Sequence, residues 1–272
     1  MINLAIIIPT YNRAPLLKRC IESVIKEGGD FEIIVVNDGS VDDTEKVINN
    51  FDDRRIVYIK QPINLGVNSA RNRAIATTVK DWVFCLDDDD ELMPGSIKVI
   101  TERISQMPSG YNVAYFNSKI VRDDHSFTGG FQFVSEEAFF DPSYSDTMLK
   151  FNLRGDCKPA FRTSLFAGGI YNFPETVNGF ESYTMNLISR DNKGIRYWKD
   201  VVTLVHQEKI LIDRLSTVAS KKKPLPLLIL HTSQVLQHFR FYMTHPLFFY
   251  KKLKDMLKLL IRSLFSLFGI NL

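Results

Sequence analysis

The chain has no paired cysteines. Cys20, Cys85 and Cys157 lie far apart without a Cys-x-x-Cys spacing, and read as reduced, structural residues of a cytosolic environment. No 18-residue stretch is both apolar and uncharged, so no spanning helix is predicted. The apolar stretch Met1–Pro9 has no basic flank and is cut short by Pro9, which makes it a strand rather than a signal peptide. Pro9–Pro15 holds no glycine, which excludes a Gly-rich phosphate loop after that first strand. No internal repeat or low-complexity segment is visible. What remains is an ordinary globular composition, 45% apolar over 272 residues, enough for one large domain or one domain with an appendage.

Charge is unevenly placed. The net charge is +3, yet residues 221–272 hold nine Lys and Arg against Asp255 alone, so the rest of the chain is net acidic. Along Phe249–Phe268, apolar residues recur at 253, 256, 257, 260, 264, 267 and 268, while Lys251, Lys254, Lys258 and Arg262 fall on the other face. Such a basic amphipathic helix suits an anionic membrane surface; a helix packed on the body or on a partner subunit is the alternative. Nucleic acid fits poorly, because the charge borders a wide apolar stripe. His231, His238 and His245 lie near one helical face, but Pro246 and the lack of carboxylates argue against a metal site.

The first hundred residues alternate between short apolar runs and helical patterns. Strands are expected at Leu4–Ile8, Phe31–Val36, Arg55–Ile59 and Trp82–Leu86, and helices at Pro15–Lys26, about Asp42–Phe51 and Val67–Thr77. This is the pattern of βαβ units and a parallel, doubly wound α/β sheet. Each strand ends in polar residues, at Thr10–Asn12, Asn37–Ser40, Gln61–Asn64 and Asp87 onward, and such sheets bind ligands at those ends. Further on, Tyr111–Val121 and 126–134 are expected strands, Glu181–Arg190 a helix and Gly194–Val205 a late strand.

The apolar run Trp82–Leu86 stops at Asp87-Asp88-Asp89-Asp90-Glu91. Five adjacent carboxylates at the end of a buried strand repel one another and lose hydration. A divalent cation, Mg²⁺ or Mn²⁺, would relieve both costs; a solvated acidic turn is the alternative. Leu92 stands where an EF-hand loop needs glycine, so that motif is excluded.

Four motifs in order, Ile6–Arg13, Val35–Ser40, Asn64-Leu65-Gly66 with Ala70-Arg71-Asn72, and Leu86–Asp90, resemble those of family 2 glycosyltransferases. The resemblance is strong over residues 1–100, weaker to about 215 and absent beyond. It implies the GT-A fold, with a glycosyltransferase domain over 1–215 (nucleotide-binding half 1–105, acceptor half 106–215) and a basic helical tail over 216–272. It also implies a nucleoside-diphosphate sugar donor, most often UDP-linked, a hydroxyl acceptor and inversion at the transferred sugar. Pro9, Thr10 and Tyr11 can pack on the base, and Asp38 can accept a hydrogen bond from an imide N–H. Asn37–Ser40 also reads simply as a strand-to-helix turn with Ser40 as N-cap. Arg71 is either a structural ion-pair partner or a contact to the nucleotide or to Asp87. Within Asp87-x-Asp89, the resemblance gives Asp89 to the metal with Asp87 as a further candidate ligand, and Asp87 or Asp88 to the ribose or a metal-bound water, with the register ambiguous by one residue. Asp90 and Glu91 are expected to cap a helix starting near Pro94.

Family members usually carry a Glu-Asp pair before a later helix as the source of the general base. Here Ser182 stands where the Asp is expected, which leaves Glu181 as the candidate base and Asp156 as the reserve. Minor candidates are His206 for the metal and Arg214 for the diphosphate. The tail points to a lipid-linked or membrane-proximal acceptor in bacterial cell-surface glycan synthesis, at the inner face of the plasma membrane. A sugar-nucleotide pyrophosphorylase is disfavoured by the glycine-free Pro9–Pro15. A catalytically degenerate member that binds a nucleotide sugar or glycan is the other alternative, supported by Ser182.

Overall fold

The computed structural model describes residues 2–122, 127–129, 137–149, 156–177, 181–191, 193–207 and 224–267. Its centre is one mixed sheet. The first half runs β1 (Leu4–Thr10), α1 (Ala14–Ile25), β2 (Phe31–Asn37), α2 (Thr44–Asn49), β3 (Ile56–Lys60), α3 (Val67–Thr77) and β4 (Trp82–Cys85). These four strands are parallel in the order β3-β2-β1-β4, so all four polar ends emerge on one edge. Alternate residues of the strands fill two cores. Ile6, Ile8, Ile33 and Phe84 pack with Leu17, Ile21 and Val24 of α1 on one face. Ile7, Ile34, Val83 and Cys85 pack with Ala70 and Ala74 of α3 on the other.

The second half extends the same sheet with both strand directions. β5 (Asp90–Leu92) and α4 (Ser96–Ser105) come first, followed by β6 (Val113–Arg122), β7 (Phe127–Gly129), β8 (Phe139–Phe140), α5 (Tyr144–Leu149), β9 (Cys157–Arg162), a 3-10 turn (Thr163–Phe166), α6 (Ser182–Arg190) and β10 (Ile195–Gln207). β9 inserts antiparallel between β4 and β6; β10 runs parallel to β6 and closes on β5. The expected strand over 126–134 is met by β7, and its remaining residues lie outside the described ones.

The expected helix-capping role of Asp90 and Glu91 is corrected. Both lie in β5, paired with Val205 and Leu204 of β10. The start of α4 is capped by the buried Glu27, whose carboxylate accepts hydrogen bonds from Gly95 N at 2.8 Å and Ile97 N at 2.9 Å. A carboxylate from α1's end answers the free N–H groups and the positive end of the helix dipole together.

Beyond β10 lie α7 (Pro224–Gln237), α8 (Phe239–Thr244) and α9 (Pro246–Leu267). They rest on α5 through a small core of Phe241, Tyr242 and Met148, ringed by Tyr144, Val235, Phe248 and Phe249. Tyr183 Oη of α6 and Ser233 Oγ of α7 are 3.1 Å apart. One face of α9 lies inward through Phe248, Phe249, Lys252, Met256 and Ser263, while Tyr250, Leu253, Leu257, Leu260, Ile261 and Leu264 stay exposed beside the basic residues. No helix among the described residues is long and apolar enough to cross a membrane.

Candidate active site

The polar strand ends are tied to one another. Asn12, in the left-handed conformation at φ 53°, accepts from Val41 N at 2.8 Å and donates its own N–H to Ser40 Oγ at 2.9 Å, joining the ends of β1 and β2. Gly39, at φ 73°, lies so close to the Ile63–Asn64 backbone that a Cβ there would come within 2.5 Å of it. That approach brings the 61–66 segment onto Asp38. Its carboxylate accepts from Gln61 Nε2 at 2.7 Å, Leu65 N at 2.8 Å and Gly66 N at 2.8 Å. Burial raises the pKa of Asp38, and these three donors oppose the rise. Pro9 and Thr10 are buried beside it, and Tyr11 is exposed at the rim.

The acidic run carries its own counter-charges. Arg13 reaches Asp88 Oδ1 at 3.0 Å and Asp89 Oδ2 at 3.1 Å, and Arg19 reaches Asp89 O at 3.0 Å and Glu91 at 3.3 Å. Arg71 donates to Asp87 Oδ1 at 3.0 Å, and Lys158 lies 2.7 Å from Asp87 Oδ2 and 2.5 Å from Asp90 Oδ2. Much of the relief expected from a bound cation thus comes from four basic side chains of this chain. Burial alone would raise Asp87, but Lys158 and Arg71 outweigh it and hold the carboxyl well below its ordinary range. Asp88 is pushed up to about 7 by burial, against the pull of Arg13. Asp90 is raised by burial and by its acidic neighbours, with Lys158 opposing.

Arg71 also joins the two halves. Its other terminal nitrogen is 2.5 Å from Glu181 Oε1, so one guanidinium spans Asp87 and the candidate base. Its neighbours on α3 build the approach: Asn68 donates to the Pro174 and Val177 carbonyls, and Asn72 both donates to Phe173 O and accepts from Phe173 N. The i, i+3 and i+4 spacing of Asn68, Arg71 and Asn72 places all three toward this segment. Glu181 immediately precedes α6 and is part exposed.

A cavity of about 290 Å³ opens here, lined by Arg71, Asp87, Asp156, Lys158, Glu181 and apolar groups including Tyr115 and Phe173. Cys85 and Cys157 also line it, and burial pushes both thiols up to about 12, so they remain protonated. Both base candidates therefore face one space with Asp87. His206 lies by the acidic run but against Glu91, 2.6 Å away. Arg214 lies outside the described residues.

Lys158, Arg13 and Arg19 were missing from the sequence-derived site. The signal for Lys158 was a single charge within the apolar run Cys157–Phe161; its partners Asp87 and Asp90, 71 and 68 residues earlier, gave none.

Among the described residues no three His, Cys, Asp or Glu side chains are grouped to hold a metal ion. Asp87 has both carboxylate oxygens in ion pairs, whereas Asp89 is part exposed and meets Arg13 through one oxygen. That donor set fits a cation of the Mg²⁺ type, which takes one or two carboxylates and completes its shell with substrate phosphate and water.

The comparisons agree with this architecture. The model for "Glycosyl transferase family 2" matches residues 5–164. A GalNAc(5)-diNAcBac-PP-undecaprenol beta-1,3-glucosyltransferase of Campylobacter jejuni is 35% identical over 127 residues, 45% of this chain and 40% of that protein. A putative colanic acid biosynthesis glycosyl transferase of Escherichia coli is 33% identical over 107 residues, 38% of each chain. The chain thus spans about two fifths of these relatives' length. Among solved structures, S. aureus TarS 1-349 in complex with UDP-GlcNAc superposes with a TM-score of 0.68 at 18% identity, over 86% of this chain and 67% of that one. The mannosyltransferase PcManGT from Pyrobaculum calidifontis, in complex with GDP-Man and Mn²⁺, gives 0.60 at 17% identity, over 86% and 64%. With its four strand-end motifs on one edge of a GT-A sheet and the family match over more than half its length, the chain belongs to glycosyl transferase family 2.

Proposed function

We propose that the chain is a metal-dependent, inverting glycosyltransferase that moves a sugar from a UDP-sugar to a hydroxyl acceptor. The observation that carries this reading is the Asp87–Arg71–Glu181 bridge on one cavity, which sets the acidic run and a carboxylate base on the same space. The UDP-GlcNAc bound by TarS and the GDP-Man and Mn²⁺ bound by PcManGT support the donor class and the metal.

Pro9, Thr10 and Tyr11 pack against the base, and Asp38, pre-set by three donors, accepts its imide N–H. Asp88 or Asp87 meets the ribose, and Asp89 meets the Mg²⁺ or Mn²⁺. When bound, that cation offsets the charge building on the departing diphosphate. Glu181 takes the proton of the acceptor hydroxyl. The freed oxygen forms a bond to the anomeric carbon from the face opposite the diphosphate, and the bond from that carbon to the β-phosphate oxygen breaks, its electron pair leaving with UDP. Arg71 fixes Glu181 relative to Asp87, so the base is aimed before the acceptor arrives. Asp156, on the same cavity, is the reserve base; His206 and Arg214 remain minor candidates for the metal and the diphosphate.

The Campylobacter relative's undecaprenol-linked substrate supports a lipid-linked acceptor in bacterial cell-surface glycan synthesis. The exposed apolar stripe of α9, bordered by Lys251, Lys254, Lys258 and Arg262, suits peripheral binding at the anionic inner face of the plasma membrane. The test is UDP release from a panel of UDP-sugars with Mn²⁺ or Mg²⁺, with and without EDTA. Glu181→Gln is expected to lower kcat by about 10²–10⁴-fold while UDP binding persists. Unchanged turnover would remove Glu181 from its role, and UDP binding without any turnover in the unaltered protein would favour the degenerate, binding-only alternative.

A further inference from the structure

Lys158 is the least expected charge in the molecule. It sits in β9 opposite Phe116 of β6, is 6% exposed, and turns its ammonium to Asp87, Asp90 and, at 3.6 Å, Asp156. Burying a lysine is costly unless its charge is matched, and here one ammonium serves three carboxylates. Those carboxylates include half of the Asp87-x-Asp89 pair. A divalent cation seated on Asp87 would face the ammonium across a single carboxylate group, and Arg71 holds the other oxygen of the same carboxylate. Asp90 meets the same ammonium through Oδ2 and is 3% exposed at its side chain. Asp89 differs: it is 27% exposed at its side chain, and Lys158 is not among its ion-pair partners.

We propose that Lys158 is a positioning residue that acts as the fixed cation of the aspartate run. It withholds Asp87 and Asp90 from a divalent ion and leaves Asp89 as the carboxylate that meets one. The bare site is therefore a poor metal site, and the cation binds together with the donor's diphosphate rather than before it. This rests on the metal-dependent reading above. The charge arrangement carries the point: Arg13, Arg19, Arg71 and Lys158 already offset the acidic run, so a further double charge gains little until the diphosphate adds negative charge of its own.

The test is direct Mn²⁺ binding to the full chain, read by electron paramagnetic resonance with and without UDP. The unaltered protein is expected to bind Mn²⁺ at least about tenfold more tightly with UDP than without it. Lys158→Met frees Asp87 and Asp90 and is expected to raise Mn²⁺ affinity in the absence of UDP by about tenfold or more. Lys158→Arg, which restores the charge, returns it towards the original value. Unchanged nucleotide-free affinity in Lys158→Met overturns the proposal.

If that variant does not fold, Lys158→Gln reads the same quantity. Asp90→Asn supplies a reading that leaves Lys158 in place. Its UDP-dependent Mn²⁺ binding should stay within about threefold of the original, and a tenfold loss would make Asp90 a ligand and sink the idea. Should the unaltered protein bind UDP with no Mn²⁺ at all, the metal-dependent reading fails by itself. The gain or absence of nucleotide-free Mn²⁺ binding in Lys158→Met would still decide what Lys158 does.

Discussion

Two regions concentrate charge, and they handle it in opposite ways. At the end of β4 five acids are packed into a sheet edge, and each is met by a basic side chain brought from elsewhere: Arg13 and Arg19 from the start of the chain, Arg71 from α3, Lys158 from β9, and His206 from β10 beside Glu91. On α9 Lys251, Lys254, Lys258 and Arg262 are exposed, and Lys258 lies 3.7 Å from Asp255. Buried charge must be matched within a few ångströms because water cannot screen it. Exposed charge can be left to act at a distance. The first arrangement holds a geometry; the second makes a field.

Breaking the buried arrangement has the largest expected effect. Arg71→Met strands Glu181 and leaves Asp87 to Lys158 alone. It should destabilise the protein by about 3 kcal/mol, the low end for a buried pair because Glu181 is part exposed. Turnover should fall with it, and a melting curve with a donor-hydrolysis assay checks both. An unshifted melting temperature would mean that the bridge is not holding the two halves together.

The exposed arrangement should behave in reverse. Changing Lys251, Lys254, Lys258 and Arg262 together to Gln should leave the melting temperature unmoved. At about 1 kcal/mol for each basic residue near an anionic surface, it should weaken binding to phosphatidylserine vesicles by about 10²-fold or more. Vesicle sedimentation of the full chain checks this, and equal binding would end the case for the tail as a membrane contact.

The smallest effect sharpens the comparison from within the acidic run. Asp88 ionises near 7 in the folded protein, but near 4 when the chain is unfolded. The folded state therefore holds that proton more tightly, and stability falls as pH rises from about 4 to about 7. Asp88→Asn should be more stabilising at pH 8 than near pH 4, where both side chains are neutral in the folded protein. Equal shifts at both pH values in thermal melts would show that Asp88 bears no such burial cost.

Much of the first hundred residues was legible because each element is delimited by a local apolar pattern, even where its sheet partner is distant, as Leu4 is from Trp82. Each parallel strand is a continuous apolar run, and the helix expected over Val67–Thr77 is α3 with the same bounds. The later sheet was less legible. β9 is antiparallel in an otherwise parallel neighbourhood, and only that pairing carries Lys158 under the acidic run. The cap of α4 was misread for the same reason. Asp90 and Glu91 were the nearest acids in sequence, but β10 claims their backbone, and Glu27 comes from the far end of α1. In the tail, periodicity showed an amphipathic helix. Which apolar residues face α7 and which face solvent depended on a partner helix that periodicity does not reveal.

By itself, then, the sequence determined the alternation of strands and helices, the polar strand ends and the amphipathic tail, since hydrophobic period, turn chemistry and local charge act over a few residues. The tertiary structure decided which charges meet. It set Arg71 between Asp87 and Glu181 and Lys158 between Asp87 and Asp90, because pairing across 16 to 110 residues depends on strand order and direction, to which no local pattern is coupled.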